Sequence, residues 1–197
     1  MPHGTGDEAV VGAEGEPFPM PKRDKYRGKR NKQGDPHGRG KMELANGDKY
    51  DGEWIDGEMS GRGTHKWASG ALYEGEWVDG VREGRGFYAF TPRGSTTYEG
   101  EFKADKRNGT GVYTWSSGEK YEGGFVDDRR HGPGKFVWSS ERTDVCLFEA
   151  GRMVGEGVRW SANRLVAWRT KDGEEVEKIP IETAQQLEDS IFPTEPE

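Results

Sequence analysis

From Tyr73 to Trp77 the chain reads Tyr-Glu-Gly-Glu-Trp, with rings and a glycine at alternate positions and carboxylates between them. In a strand, successive side chains point to opposite faces, so this segment carries rings and glycine on one face and charge on the other. The alternation returns as YDGEW at Tyr50, YEGEF at Tyr98 and YEGGF at Tyr121, with YRGKR at Tyr26 and DVCLF at Asp144 in the same frame. The steps between first residues are 24, 23, 25, 23 and 23. A Gly-x-Gly follows in each unit, at Gly38/Gly40, Gly61/Gly63, Gly84/Gly86, Gly109/Gly111, Gly132/Gly134 and Gly155/Gly157. A second aromatic recurs at Trp67, Phe90, Trp115, Trp138 and, one place early, Trp160. Self-similarity at a fixed period of this size marks a repeat array.

Each unit reads as a β-hairpin. Asp79-Gly80 and Gly84 are expected to turn the chain, because such residues accept positive φ. Links such as Ala68-Ser69-Gly70 and Ser116-Ser117-Gly118 join one hairpin to the next. A single hairpin is marginal in water, so neighbouring units must pair. The expected fold is all-β: an elongated, twisted, single-layer antiparallel sheet of stacked hairpins over residues 26–160, with a short C-terminal helix. A ring from a neighbouring strand is expected to lie over Gly75 and Gly86, where a side chain would displace it. No helix follows any Gly-x-Gly, so these glycines do not read as a phosphate loop.

Residues 161–179 read as a terminal hairpin about Asp172-Gly173. Residues 180–197 read as a short helix and acidic tail, with Thr183 and Gln186 as a capping box, Ala184, Leu187 and Ile191 at helical spacing, and an end before Pro193. The helix is expected to cover the last sheet edge, with docking to a partner as the alternative. Residues 1–25 read as a basic N-terminal segment, disordered over its first 20 residues.

Composition changes this picture in three ways. Mean hydropathy is −1.03, a value that suits a disordered chain. The 7 Trp, 7 Tyr, 8 Phe and 31 Gly argue instead for an aromatic core on a glycine-rich backbone. The net charge is −7, and the segment 172–197 accounts for more than all of it, since Lys178 is its one base against nine acids and the remaining residues are slightly basic. Seven bases, Lys22, Arg23, Lys25, Arg27, Lys29, Arg30 and Lys32, meet only Asp24 in their segment and could contact an anionic surface. The acidic balance disfavours nucleic acid as a partner. A single cysteine, Cys146, excludes an internal disulfide and suits a reducing compartment. No apolar run is long enough to span a bilayer and residues 1–20 lack a signal-peptide pattern, so an intracellular protein is expected.

Candidate chemistry is sparse. His37 and His131 share one repeat position and read as turn residues, while His3 and His65 stand apart. One cysteine with dispersed histidines does not make a zinc site, so neither metal nor cofactor is expected. Glu53, Glu76 and Glu101 recur on the outer face and read as solvated. Cys146 reads as a packed thiol, and Asn108-Gly109-Thr110 as a turn. The chain does not read as an enzyme.

The pattern Y-x-G-x-W/F, Gly-x-Gly and closing aromatic closely resembles the MORN repeat over residues 26–160. Arg30, in place of an aromatic, and Asp144 and Cys146, in place of Tyr and Gly, depart from it in the end units, as capping units do. The opening stretch from Tyr26 to Trp54 is most similar to ciliary or flagellar MORN proteins of the radial-spoke-head type. That resemblance implies a non-enzymatic scaffold that binds protein partners, a structural component of an axoneme in the cytoskeleton. An aromatic trough of Tyr50, Trp54, Tyr73, Trp77, Tyr98, Phe102, Tyr121 and Phe125 is the expected site for a peptide or helix. These rings read equally well as pure core. The family's association with phosphoinositides and lipid-kinase domains implies an alternative, a peripheral membrane module acting through the Lys22–Lys32 bases. Two open sheet edges leave room for a homodimer.

Overall fold

The computed structural model describes residues 24–193. Within them the chain forms one open sheet whose strands follow in sequence order, each antiparallel to the last. The first seven are β1 (Lys25–Arg30), β2 (Pro36–Glu43), β3 (Lys49–Ile55), β4 (Glu58–Lys66), β5 (Leu72–Val78), β6 (Val81–Ala89) and β7 (Thr97–Lys103). The sheet continues through β8 (Lys106–Thr114), β9 (Lys120–Val126), β10 (Arg129–Val137), β11 (Thr143–Glu149), β12 (Arg152–Trp160), β13 (Ala167–Lys171) and β14 (Glu174–Ile179). Helix α1 (Ile181–Ile191) follows. The expected single-layer array of hairpins is the observed one, with 14 strands among the described residues.

Two-residue turns close every hairpin after β1–β2, whose strands are joined by residues 31–35. Asp79-Gly80 has φ of 47° and 79°, and Ala104-Asp105, Asp127-Asp128 and Ala150-Gly151 adopt the same left-handed pair. That geometry matches the twist of the strands it joins. Gly84, expected in a turn, lies inside β6 at φ 67°, where the β5–β6 register shifts between Gly75 and Trp77. It is a β-bulge, and Gly61, Gly109, Gly132 and Gly155 repeat its positive φ. His37, His131 and Asn108-Gly109-Thr110 therefore belong to strands beside bulges rather than to turns.

The bulges explain the recurrent glutamates. Glu53, Glu76 and Glu101 each accept from a backbone N–H that the bulge leaves over: Arg62 at 3.2 Å, Arg85 at 3.3 Å and Thr110 at 3.0 Å. These carboxylates satisfy donors as well as facing solvent. The Thr110 bonds hold the Glu101 carboxyl below its ordinary value.

At the C-terminal end the facial pattern inverts. Trp160, one place early, takes the position of Val137 rather than Trp138, and a shift of one residue moves a side chain to the other face. With Val145, Val158, Ala167 and Ile179 it builds a second core on the charged face, and Ala184 of α1 closes it. The helix therefore lies on the face of β11–β13 rather than along the β14 edge. It starts earlier than the capping box implies: the Pro180 carbonyl accepts from the Ala184 N–H at 3.0 Å, Thr183 falls inside the first turn, and no side chain caps the end. The predicted hairpin about Asp172-Gly173 is present as β13–β14.

Candidate functional site

All eight rings of the expected trough share one face, and they are 0–6% exposed. They form a continuous ladder of edge-to-face contacts. Tyr73 meets Trp77 of its own strand at 5.0 Å and Phe102 of the next hairpin at 5.1 Å, and Tyr98 repeats this with Phe102 and Phe125, both at 5.1 Å. Each tyrosine folds back over glycine. A Cβ at Gly75 would lie 2.6 Å from Tyr73 Cζ and one at Gly86 2.5 Å from Tyr73 Cε2, so the ring over Gly75 comes from its own strand and that over Gly86 from across the pair. The hydroxyls end on backbone: Tyr50, Tyr73, Tyr98 and Tyr121 donate to the carbonyls of Glu53, Glu76, Glu101 and Gly124 at 2.9–3.1 Å. Burial pushes the Tyr73 hydroxyl up to about 12 and raises the other three as well. These hydroxyls stay donors throughout the physiological range.

A second row of rings covers one flank of the first and remains half-exposed except at His65 and Phe136, which are buried. It runs without a gap from His65 through Trp67, Tyr88, Phe90, Tyr113, Trp115 and Phe136 to Trp138, with successive centroids 4.3–5.5 Å apart. Phe90 is 37% exposed. The recurrence of the closing aromatic was visible in the sequence, but its role as the accessible edge was not. Facial alternation places both rows on one side and cannot say which lies outermost.

A row of arginines lies against the rings. Arg82 stands 5.2 Å from the centroids of Tyr88 and Phe102, Arg107 5.1 Å from Tyr113, and Arg130 4.9 Å from Phe148. A guanidinium over a ring face is attracted by its quadrupole. A notch of about 360 Å³ opens here, lined by Arg82, Tyr88, Phe90, Phe102, Asp105, Arg107 and Asp128. The sequence offered a signal that was missed, since Arg82, Arg107 and Arg130 occupy one repeat position, as do Met59 and Met153.

The row ends where Tyr gives way to Asp144. Arg159 grips that carboxylate through Nε at 2.6 Å and Nη2 at 2.9 Å, and the Trp138 indole donates to it at 2.8 Å. The pair is buried and hydrogen-bonded on both sides, which such a pair requires.

On the opposite face a half-open groove of about 1030 Å³ crosses β2 to β10, and Phe192 and Pro193 line it beside Glu74, Phe87, Glu99 and Val112. Among the described bases of the N-terminal segment, Lys25, Arg27, Lys29, Arg30 and Lys32 are exposed along β1 and the turn after it. Arg30 is engaged with the Gly34 carbonyl at 2.6 Å and lies over Tyr26. Lys22 and Arg23 lie outside the described residues. No group of three or more His, Cys, Asp or Glu able to hold a metal occurs among the described residues, and their one helix is too short to cross a membrane.

No curated protein matches the chain. Among solved structures it is similar to the TCP domain of SAS-4 of Drosophila melanogaster, solved in complex with a proline-rich motif of Ana2. The identity is 12%, the match covers 79% of this chain and 90% of that chain, and the TM-score is 0.40. The MORN repeat family matches at residues 32–49, 50–72, 73–94, 98–120, 121–141 and 147–166. These segments make up more than half of the chain and agree with the hairpin units seen in the sheet. The chain belongs to the MORN repeat family.

Proposed function

We propose that this chain is a non-enzymatic scaffold that binds a protein partner across its aromatic face. The observation that carries the reading is the uninterrupted row of rings from Trp67 to Trp138, half-exposed except at the buried Phe136 and braced from below by the buried ladder. Rings in such a row present apolar area at low conformational cost and can anchor a partner segment. The expected trough rings, Tyr50 to Phe125, set the shape of this surface, and the outer rings make most of its contact.

Placement in a cilium or flagellum is supported by the similarity of the Tyr26–Trp54 stretch to radial-spoke-head proteins. The test is proximity labelling in ciliated cells with the parent chain and the double variant Trp67→Ala, Trp115→Ala. Loss of axonemal neighbours by a variant that still melts cooperatively supports the reading. Identical neighbours for both chains would overturn it.

A second reading, contact with an anionic membrane surface, draws on the exposed bases along β1. Sedimentation with phosphatidylserine vesicles at low and physiological salt tests it. Binding that persists at physiological salt and falls when Lys25, Arg27 and Lys29 are neutralised would favour this reading over the first.

A further inference from the structure

Three successive hairpins place an arginine at one position, and the hairpin after each supplies what the arginine holds. Asp105 Oδ1 accepts from the Arg82 backbone N–H at 3.0 Å and from its Nε at 2.9 Å, while the Asp105 carbonyl accepts from Nη2 at 2.7 Å. Asp128 does the same for Arg107 at 3.1, 2.8 and 2.9 Å. At the third position the residue is Gly151. Its carbonyl still accepts from Arg130 Nη2 at 2.8 Å, and its N–H still donates to the Arg130 carbonyl at 2.9 Å. The turn therefore sits where its two counterparts sit, without their carboxylate.

The result is a guanidinium facing an empty acceptor position. Arg130 Nε has no hydrogen-bond partner among the described residues, and it is not sealed from solvent. A Cβ built on Gly151 would meet nothing within 4 Å, so the position is open. The carboxylates that fill the equivalent positions, Asp105 and Asp128, are each 48% exposed, which shows that a group there remains reachable from solvent. Tyr121, Phe136 and Phe148 surround the guanidinium at 4.9–5.6 Å, and Phe136 leads directly to Trp115 and Trp138 of the outer row.

We propose that the space beside Gly151 is a binding site for a carboxylate of a partner polypeptide. Arg130 holds it through Nε, as Arg82 and Arg107 hold their aspartates, while Nη2 stays on the Gly151 carbonyl and apolar residues of the same segment lie along Trp115 and Trp138. The carboxylate comes from an acidic side chain or from a chain terminus. This inference rests on the aromatic face being the protein-binding surface.

The repeat itself supplies the decisive variant. Gly151→Asp fills the site from within, at a position where Asp105 and Asp128 show that aspartate adopts the required left-handed φ of 68° and 67°. Gly151→Asn fills the same space without the charge. Three unlabelled peptides serve as probes: acetyl-Leu-Leu-Glu-Leu-Leu-amide, its Glu→Gln counterpart, and acetyl-Leu-Leu-Gln-Leu-Leu with a free C-terminal carboxylate. Isothermal titration calorimetry measures binding, and arginine Nε–H resonances report the contact. At least one carboxylate peptide is expected to bind about tenfold or more tightly than the neutral amide peptide, and the preferred peptide identifies the carboxylate's source. It should shift the Arg130 Nε–H while leaving those of Arg82 and Arg107 in place.

Gly151→Asp and Arg130→Gln should each abolish this preference, with Gly151→Asp melting no lower than the parent. Equal affinity for all three peptides, or equal shifts at the three arginines, overturns the proposal. If Trp67→Ala, Trp115→Ala loses the cellular partner while Gly151→Asp keeps it, the aromatic surface stands and the carboxylate site falls. If both variants keep the partner, both readings fall. Binding only to a second copy of this chain, seen as concentration-dependent mass in light scattering that Gly151→Asp abolishes, would keep the site and make the partner a homo-oligomer.

Discussion

The Tyr73 hydroxyl donates to the Glu76 carbonyl at 3.0 Å, so the ring bends back across Gly75 and reaches Gly86 on the paired strand. The same loop recurs at Tyr50, Tyr98 and Tyr121. A single-layer sheet has no second layer to bury its rings. Here each ring is covered by its own backbone, by the ring four residues on, and by the ring of the next hairpin.

Gly75→Ala should therefore destabilise by about 1–3 kcal/mol as overpacking, because the new Cβ meets Tyr73 Cζ at 2.6 Å and Gly86 Cα at 2.7 Å. Glu76→Gln keeps an oxygen for the Arg85 N–H and should cost about 0.5 kcal/mol or less. Urea denaturation of the two variants separates them. Equal midpoints would mean that the ring does not need the glycine beneath it.

His65 replaces the tyrosine or phenylalanine found at its position in the next three units, and its Nδ1 is buried without a partner. Burial holds its pKa below the ordinary 6.5, against a weaker opposing pull from Asp48. The unfolded chain therefore binds a proton at a pH where the folded chain does not. Stability should be full above about pH 6.5, fall as pH drops through the window between the unfolded and folded pKa values, and level off below the folded one. His65→Phe should remove this step from a plot of denaturation midpoint against pH between 7 and 5. A step that survives the substitution belongs to other groups.

Burial pushes the Cys146 thiol up to about 12. At pH 8 it should be protonated and shielded, and a disulfide reagent should label it at the rate at which the sheet opens. Labelling in the dead time of mixing, with no denaturant, would place the thiol at the surface.

Helix α1 is held on β11–β13 through Ala184, with Leu187 and Ile191 packed beside it. Ala184→Asp should release the helix and expose Val145 and Val158. Amide exchange should then quicken in α1 and β11–β13 while β3–β8 keep their protection, since each unit of a stacked array contacts only its neighbours. Uniform loss of protection across all strands would show that the sheet opens as one cooperative body.

Much of this fold is readable along the chain because its determinants are local. The period of two in Tyr-Glu-Gly-Glu-Trp assigns the faces, the 23-residue recurrence assigns the units, and Asp79-Gly80 closes a hairpin through φ values that these two residues accept. Even the change of face at Trp160 is written as a one-residue offset. Gly84 was misread as a turn because a bulge and a turn both call for positive φ, and only the pairing of β5 with β6 distinguishes them. The covering of Tyr73 by Phe102, the exposure left to Phe90 and the unfilled place beside Arg130 each depend on residues more than ten positions away. Those relationships follow from the register of one hairpin against the next. Facial alternation says which side a ring or a guanidinium occupies, and contact across strands sets what covers it and what remains open to a partner.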